Sequence, residues 1–235
     1  MYVSAIVVAA GSGNRFQSRI SKPLVKIHLK PIIVYALQAL NRCADIEEII
    51  VVANRDNIEG IGACVNRYNI RKVKSILLGG KERKDSVAKG LKEVSQKSGL
   101  VLIHDAARPF IDKAIVLKAI LVCKRYGAAV VGVPVKATIK IAGSPGRQAA
   151  RLNVIKRTID RSNLWEIQTP QVFRKELILE AYRKFAKLKV TDDAMLVEKM
   201  GKKVCIVPGS YNNIKITTPE DLIIAKAIAR RWKPA

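Results

Sequence analysis

The sequence predicts an α/β fold: a doubly wound, mostly parallel sheet with helices on both faces and a projecting β-arm. Three observations carry this reading. Short, continuous runs of β-branched residues recur along the chain, amphipathic helical stretches alternate with them, and the pattern breaks after Pro134 into alternating residues around a Ser-Pro-Gly turn. Strands buried on both faces read as unbroken apolar runs, and helices between them are the connections that parallel strands need.

Taken in order, VSAIVVAA (3–10) is the first buried strand and PIIVYALQALNRC (31–43) a helix with Pro31 near its start. EEIIVVAN (47–54) is a strand, and a helix follows Asp56. RKVKSILLG, RKDSVAKGLKEV, GLVLIHD, DKAIVLKAILVCKRYG and AAVVGVPV then alternate strand, helix, strand, helix, strand, ending at Val135. ATIKIAGSPGRQAARLNVIKRTIDR (137–161) reads as two extended strands around a turn, an arm spanning about 136–169. Such an arm cannot bury both of its faces alone, so it is expected to pack on a second subunit or, as the alternative, to fold back over the site. Helical patterns return at 175–187 and 192–200, KKVCIVPG (202–209) adds a strand, and a last helix starts at Thr218-Pro219-Glu220-Asp221. Those four residues supply an N-cap, a proline in the first turn and acids at the positive end of the helix dipole. The whole, 1–235, reads as one Rossmann-like domain with an inserted arm.

Composition narrows the function. The 49% hydrophobic content suits a globular core, and no apolar run is long enough to span a bilayer. The N-terminus carries no Lys or Arg ahead of its apolar run, unlike a secretion signal. Cys43, Cys64, Cys123 and Cys205 stand singly, without C-x-x-C spacing or a neighbouring histidine, so a reducing cytoplasm is expected rather than a zinc site or disulfide framework. The net charge of +24 invites a nucleic-acid reading. Yet the basic residues run along the whole chain, no nucleic-acid motif accompanies them, and aromatics are only 5%, too few to stack bases. A solvated lysine-rich surface, or a field that steers anionic small substrates, explains the charge without a specific nucleic acid.

After the first strand, Gly11-Ser12-Gly13 is followed by Arg15 and Lys22. A dinucleotide fingerprint would need glycine where Phe16 stands, and no Walker A run occurs. What remains is a glycine turn whose backbone N–H groups can approach phosphates, followed by two cations suited to a polyphosphate. In a doubly wound sheet, ligands bind beyond the carboxyl ends of the strands. Gly11–Arg15, GGKERKDS (79–86), HDAARP (104–109) and PVKAT (134–138) all follow strands and therefore converge on one sheet edge. Asp105 is the prominent acid there, either as a ligand contact or as an N-cap or ion-pair partner of Arg108. His104, at the end of an apolar strand, reads as a satisfied core histidine. No nucleophile elbow is present, so hydrolase chemistry lacks its nucleophile.

The segments AAGSGNRF…SKPL, GGKERKDSV, HDAARPF, PVKATIK, DRSNLWEIQTPQVF, TDDAMLVEKMG and NNIKITTPEDL occur in the order found in the 2-C-methyl-D-erythritol 4-phosphate cytidylyltransferases, which the chain resembles along essentially its whole length. The resemblance implies a fold of the nucleotide-diphospho-sugar transferase type, a homodimer assembled through the arm, and no fused cyclodiphosphate synthase. It implies transfer of a cytidylyl group from CTP to methylerythritol phosphate, with release of pyrophosphate and with Mg²⁺ held mainly by the triphosphate. Residue by residue, it makes Arg15 and Lys22 catalytic, stabilising charge on the α-phosphate. Ala9, Ala10, Gly11, Gly13, Arg83, Ser86, Asp105 and Ala106 would bind CTP. Arg108, Thr138, Arg161, Thr169 and Lys215 would bind the second substrate, with Arg161 and Thr169 reaching the partner's site from the arm. The chain departs from the pattern at Ser21, where relatives often have proline, and at Ala137, where many carry aspartate. Ala137 keeps another polyol phosphate, such as ribitol 5-phosphate, as an alternative acceptor; a non-catalytic nucleic-acid-binding protein is the distant one.

Overall fold

The computed structural model describes residues 1–11, 16, 20–143 and 153–232. Seven strands form the central sheet, in the order β11-β7-β10-β6-β1-β4-β5. These are β1 (Tyr2–Val8), β4 (Ile46–Ala53), β5 (Val73–Leu78), β6 (Ser98–Asp105), β7 (Ala128–Pro134), β10 (Trp165–Arg174) and β11 (Cys205–Pro208). A small hairpin, β2 (Lys26–Ile27) with β3 (Lys30–Pro31), follows a 3-10 turn at Lys22–Leu24. The helices are α1 (Ile32–Arg42), α2 (Ile58–Arg67), α3 (Arg83–Glu93), α4 (Lys113–Tyr126), α5 (Lys175–Lys184), α6 (Ala194–Lys199) and α7 (Pro219–Arg231). The pairs β1–β4, β1–β6, β4–β5 and β7–β11 are parallel, as the unbroken apolar runs predict.

Because side chains alternate across a strand, β1 supplies both cores. Val3, Ala5 and Val7 pack with α1, α2 and α4 on one face, whereas Ile6 packs with α3, α5 and α6 on the other. Each fully buried valine or isoleucine among them stabilises the fold by about 1.5–3 kcal/mol. Gly90 lets α3 lie close to the sheet, since a Cβ there would sit 2.7 Å from Ile6 Cγ2. A third cluster gathers Phe110, Ile27, Ile32, Ile216 and Ala225 under α7. The α7 N-terminus has the expected construction: Thr218 Oγ1 accepts from Asp221 N while Asp221 Oδ2 accepts from Thr218 N at 2.9 Å.

One element departs from the sequence expectation. The alternation extends the arm over about 136–169, but from Trp165 the chain re-enters the central sheet as β10, antiparallel to both β6 and β7. Pro170 hides this strand, because proline in a central strand removes a ladder donor. It is accommodated where the β10–β7 register shifts between Gln168 and Gln171. The arm strands themselves are β8 (Ile139–Gly143) and β9 (Val154–Ile159), an antiparallel pair separate from the central sheet. The helix expected over 192–200 is shorter, Ala194–Lys199.

Candidate active site

A cleft of about 500 Å³ opens at the carboxyl ends of β1 and β6. Val8 to Gly11 form one wall, Gly80 to Arg83 and Ser86 another, and Asp105 to Ala107 the floor, with Lys22, Pro23, Lys215 and Thr217 closing it. Of the four polar clusters expected at this sheet edge, those after β5 and β6 line the cleft and the first contributes Gly11, while the fourth, after β7, does not.

Hydrogen bonds explain the walls. Ala9 N donates to Val52 O and Ala106 N to Val8 O, so the β1 terminus stays locked between its neighbours. Asn57, fully buried, donates to Ala9 O at 3.1 Å and to Ser21 Oγ at 3.0 Å. It thereby ties the β1 terminus to the residue before Lys22. The β5–α3 turn is shaped from inside: Gly80 N donates to Ser86 Oγ, which donates to Glu82 O, both at 3.1 Å. A Cβ at Gly79 would lie 2.5 Å from Ala10 Cβ, so only glycine lets this turn close on the β1 terminus. Glu82 and Asp85 form a capping box, and Arg83 becomes the first residue of α3.

Charge is concentrated on the floor. Asp105 accepts from Arg83 Nε at 2.9 Å on one oxygen and from Lys215 Nζ at 2.6 Å on the other. Burial pushes its carboxyl up, but the charges of Arg83 and Lys215 and their hydrogen bonds outweigh burial and hold it well below the usual range. Arg83 Nη1 also reaches Asp193 Oδ2 at 2.8 Å. Burial opposes the Arg83 charge, yet Asp193 and Asp105 raise its pKa. The alternative of an ion pair between Asp105 and Arg108 is not realised. Arg108 is buried and donates instead to Asn213 O at 2.7 Å and to Ile167 O at 3.5 Å.

Behind the floor, Thr169 Oγ1 accepts from Asp105 N and meets His104 Nδ1, both at 3.1 Å, while His104 Nε2 meets Arg108 O at 2.9 Å. With the Arg108 carbonyl only able to accept, His104 carries its proton on Nε2 and accepts a hydrogen bond from the Thr169 hydroxyl on Nδ1. Burial pushes the ring down to about 4, so it is neutral, as a core histidine should be.

The structure therefore gathers Ala9, Ala10, Gly11, Lys22, Arg83, Ser86, Asp105, Ala106 and Lys215 around one cleft. Gly13 and Arg15 lie outside the described residues. Arg108 and Thr169 are buried beside the cleft rather than lining it, and Thr169 belongs to β10 rather than to the arm. Thr138 and Arg161 are exposed at the base of the arm, where Arg161 Nη1 donates to Lys136 O. Asn57, Gln171, Tyr182 and Asp193 escaped the sequence reading because their partners are far away in the chain. Among the described residues no group of three His, Cys, Asp or Glu side chains could hold a metal.

Residues 3–231 match the family model described as "IspD: 2-C-methyl-D-erythritol 4-phosphate cytidylyltransferase". A curated relative from Clostridium botulinum (strain Okra / Type B1), named 2-C-methyl-D-erythritol 4-phosphate cytidylyltransferase, is 46% identical over 230 residues, covering 97% of each chain. The crystal structure of 4-diphosphocytidyl-2C-methyl-D-erythritol synthase from Anaerococcus prevotii superposes with a TM-score of 0.85 at 34% identity, covering 98% of this chain and 96% of that one. The 2-C-methyl-D-erythritol 4-phosphate cytidylyltransferase from Thermus thermophilus gives 0.76 at 30% identity, covering 98% and 100%. With its fold and nearly its full length matched, the chain belongs to the 2-C-methyl-D-erythritol 4-phosphate cytidylyltransferase family.

Proposed function

We propose that this cleft carries out the family's reaction, transfer of the cytidylyl group from CTP to 2-C-methyl-D-erythritol 4-phosphate, with the following division of labour. Ala10 and Gly11 with the Gly13 turn offer backbone N–H groups to the triphosphate, Ala9, whose own N–H is held by Val52 O, leaves room for it with its small side chain, and Arg83 supplies a planar cation at the start of α3. Ser86 acts from behind by fixing the turn, and Ala106, with no bulk beyond Cβ, leaves room for the cytidyl group beside Asp105. Lys22 and Arg15 stabilise charge on the α-phosphate. Lys215 and Arg161 meet the incoming phosphate, while Thr138 contacts the acceptor beside the arm. Arg108 and Thr169 act through the floor they hold.

The acceptor needs no strong base. A phosphate monoester has its second pKa near about 6 and is largely a dianion at neutral pH. One of its oxygens forms the bond to the α-phosphorus, the bond from that phosphorus to the bridging oxygen breaks, and pyrophosphate leaves with the electron pair. The protein's task is to bring these anions into line and neutralise the charge, which is why cations converge on the cleft. The donor set fits a nucleotide-borne ion: the carboxylates lining the cleft are Glu82 and Asp105, and both Asp105 oxygens already meet cations. Asp105 would add at most an oxygen to ligands supplied by the triphosphate and water. Mg²⁺ so held would neutralise charge on the bridging and leaving oxygens.

The observation that carries this assignment is the cleft itself, where Lys22, Arg83 and Lys215 line one space. The arm supports a homodimer, because its two strands pair with each other and expose Ile139, Ile141, Val154 and Ile155. The cysteines are free, in keeping with a reducing cytoplasm. No helix among the described residues is long and apolar enough to cross a membrane. The test is pyrophosphate release from each nucleoside triphosphate with methylerythritol phosphate or ribitol 5-phosphate as acceptor. Release confined to CTP with methylerythritol phosphate is expected; preference for ribitol 5-phosphate would overturn the acceptor assignment.

A further inference from the structure

The turn between α5 and α6 places a fully buried acid, Asp193, where the mechanism above gives it no part. An aspartate at a helix N-cap ordinarily accepts from the first-turn N–H groups. Asp193 is the N-cap residue of α6, yet its side chain makes no capping hydrogen bond. Neighbours perform that work: Asp192 Oδ1 accepts from Met195 N at 3.1 Å, and Gln171 Oε1 accepts from Ala194 N at 3.1 Å. Gln171 Nε2 also donates to Asp192 Oδ2 at 2.7 Å, so β10 grips the turn from both sides of Asp193. The Asp193 carboxylate is thus turned away from its own helix. One oxygen accepts from Tyr182 Oη at 2.5 Å and the other from Arg83 Nη1 at 2.8 Å.

We propose that Asp193, oriented by Tyr182, is the positioning residue that holds Arg83 ready for the nucleotide; the inference rests on the reading that Arg83 binds CTP. A guanidinium is planar, so bonds at Nε to Asp105 and at Nη1 to Asp193 fix its plane. Its Nη2 has no hydrogen bond among the described residues and is the donor left for a ligand. Asp105 alone would be an unsteady support, since it faces the cleft and shares its charge with Lys215. Asp193 lies beyond the reach of any substrate phosphate and holds its end of Arg83 whether or not the cleft is filled.

The experiment measures KM for CTP and for methylerythritol phosphate in full-length Asp193→Asn, Tyr182→Phe, Arg83→Ala and Arg83→Ala/Asp193→Asn proteins. A misaimed guanidinium should raise KM for CTP by about ten- to a hundredfold in Asp193→Asn, with KM for the acceptor changed far less. Tyr182→Phe should move it in the same direction by a smaller factor. In the Arg83→Ala background Asp193→Asn should add nothing, because its only route to the nucleotide is gone. An additive effect there, an equal rise in both KM values, or an unchanged KM for CTP in Asp193→Asn would overturn the proposal. If Asp193→Asn does not fold, Tyr182→Phe decides: a selective rise supports the proposal and no change overturns it. An unchanged KM for CTP in Arg83→Ala would instead refute Arg83 as a CTP contact, and the inference with it.

Discussion

Lys215 Nζ donates to Asp105 Oδ2 at 2.6 Å although 110 positions separate the two residues. The pair joins the segment before α7 to the end of β6, and it sets the resting state of the cleft. If Lys215 meets the acceptor, as proposed, the incoming phosphate must compete with Asp105 for the ammonium. The Lys215 side chain is 40% exposed, so it can turn between the two. Lys215→Met should lower kcat by about a hundredfold or more. KM for the acceptor should rise, and KM for CTP should change far less. Stability should fall by no more than about 1 kcal/mol, because the lysine end of the pair is screened by water. Steady-state kinetics against each substrate, with a urea melt alongside, check both halves; equal changes in the two KM values would remove Lys215 from the acceptor side.

Lys22 opens the 3-10 turn, and its neighbour Ser21 is held by Asn57. If it meets charge that develops only as the α-phosphate is attacked, its loss should appear in turnover rather than in binding. Lys22→Ala is expected to lose about a hundredfold or more in kcat while CTP binding survives in part. Calorimetric titration of CTP beside single-turnover rates separates the two. Near-normal turnover would take Lys22 out of the mechanism.

His104 gives the fold an acid sensitivity with a defined window. Its pKa is pushed down to about 4 by burial, whereas an unfolded chain titrates near 6.5. Between those values the unfolded state binds a proton that the folded state refuses, so stability falls as pH drops from about 6.5 towards 4. The loss amounts to something on the order of 3 kcal/mol. Asp105 acts in the same direction at lower pH: its depressed pKa contributes stability above the unfolded carboxylate range, lost as pH falls through the folded value. Urea midpoints across pH 4–7 should show the first slope, and His104→Gln should flatten it; an unchanged slope in that variant would assign it to other groups.

Much of this architecture was readable because burial on both faces writes itself as continuous apolar runs. β1, β4, β6 and β7 each bury nearly every residue. The polar segments that interrupt those runs had to lie at strand ends, and Arg83, Asp105 and Lys22 followed from that. β10 was not readable, since Gln168, Thr169, Pro170 and Gln171 are a poor strand by propensity and are held by neighbours on both sides. Nor was the burial of Arg108, whose partners are carbonyls of Asn213 and Ile167. Asp193 carried no signal of its own in the sequence. Its turn towards Arg83 depends on Gln171 and Asp192 taking over the capping, which local sequence does not encode.

If the arm is the dimer contact, its apolar exposure is where a charge should act. Ile155 is 61% exposed and Val154 52% on β9, which pairs with β8 in a sheet separate from the central one. Ile155→Glu should shift the protein from dimer to monomer in sedimentation velocity, because an unpaired carboxylate would be desolvated in the contact. The monomer itself should lose little stability. Should Arg161 act in the partner's cleft, activity at low protein concentration would fall with dissociation. A dimer that persists in this variant would move the contact elsewhere.

Gly90 sets two opposed effects against each other. Alanine in the middle of α3 gains about 1 kcal/mol of helix propensity over glycine. The new methyl would lie 2.7 Å from Ile6 Cγ2, 3.2 Å from Ile6 Cδ1 and 3.3 Å from Val52 Cγ2. Both neighbours are buried in central strands and pack against α3. Neither can retreat, so α3 must move outwards, and overpacking of this kind costs about 1–3 kcal/mol. Packing therefore outweighs propensity, and Gly90→Ala should be less stable in urea. Because α3 begins with Arg83, the same displacement should raise KM for CTP more than KM for the acceptor. A more stable variant with unchanged kinetics would mean that the helix–sheet contact is looser than these distances require.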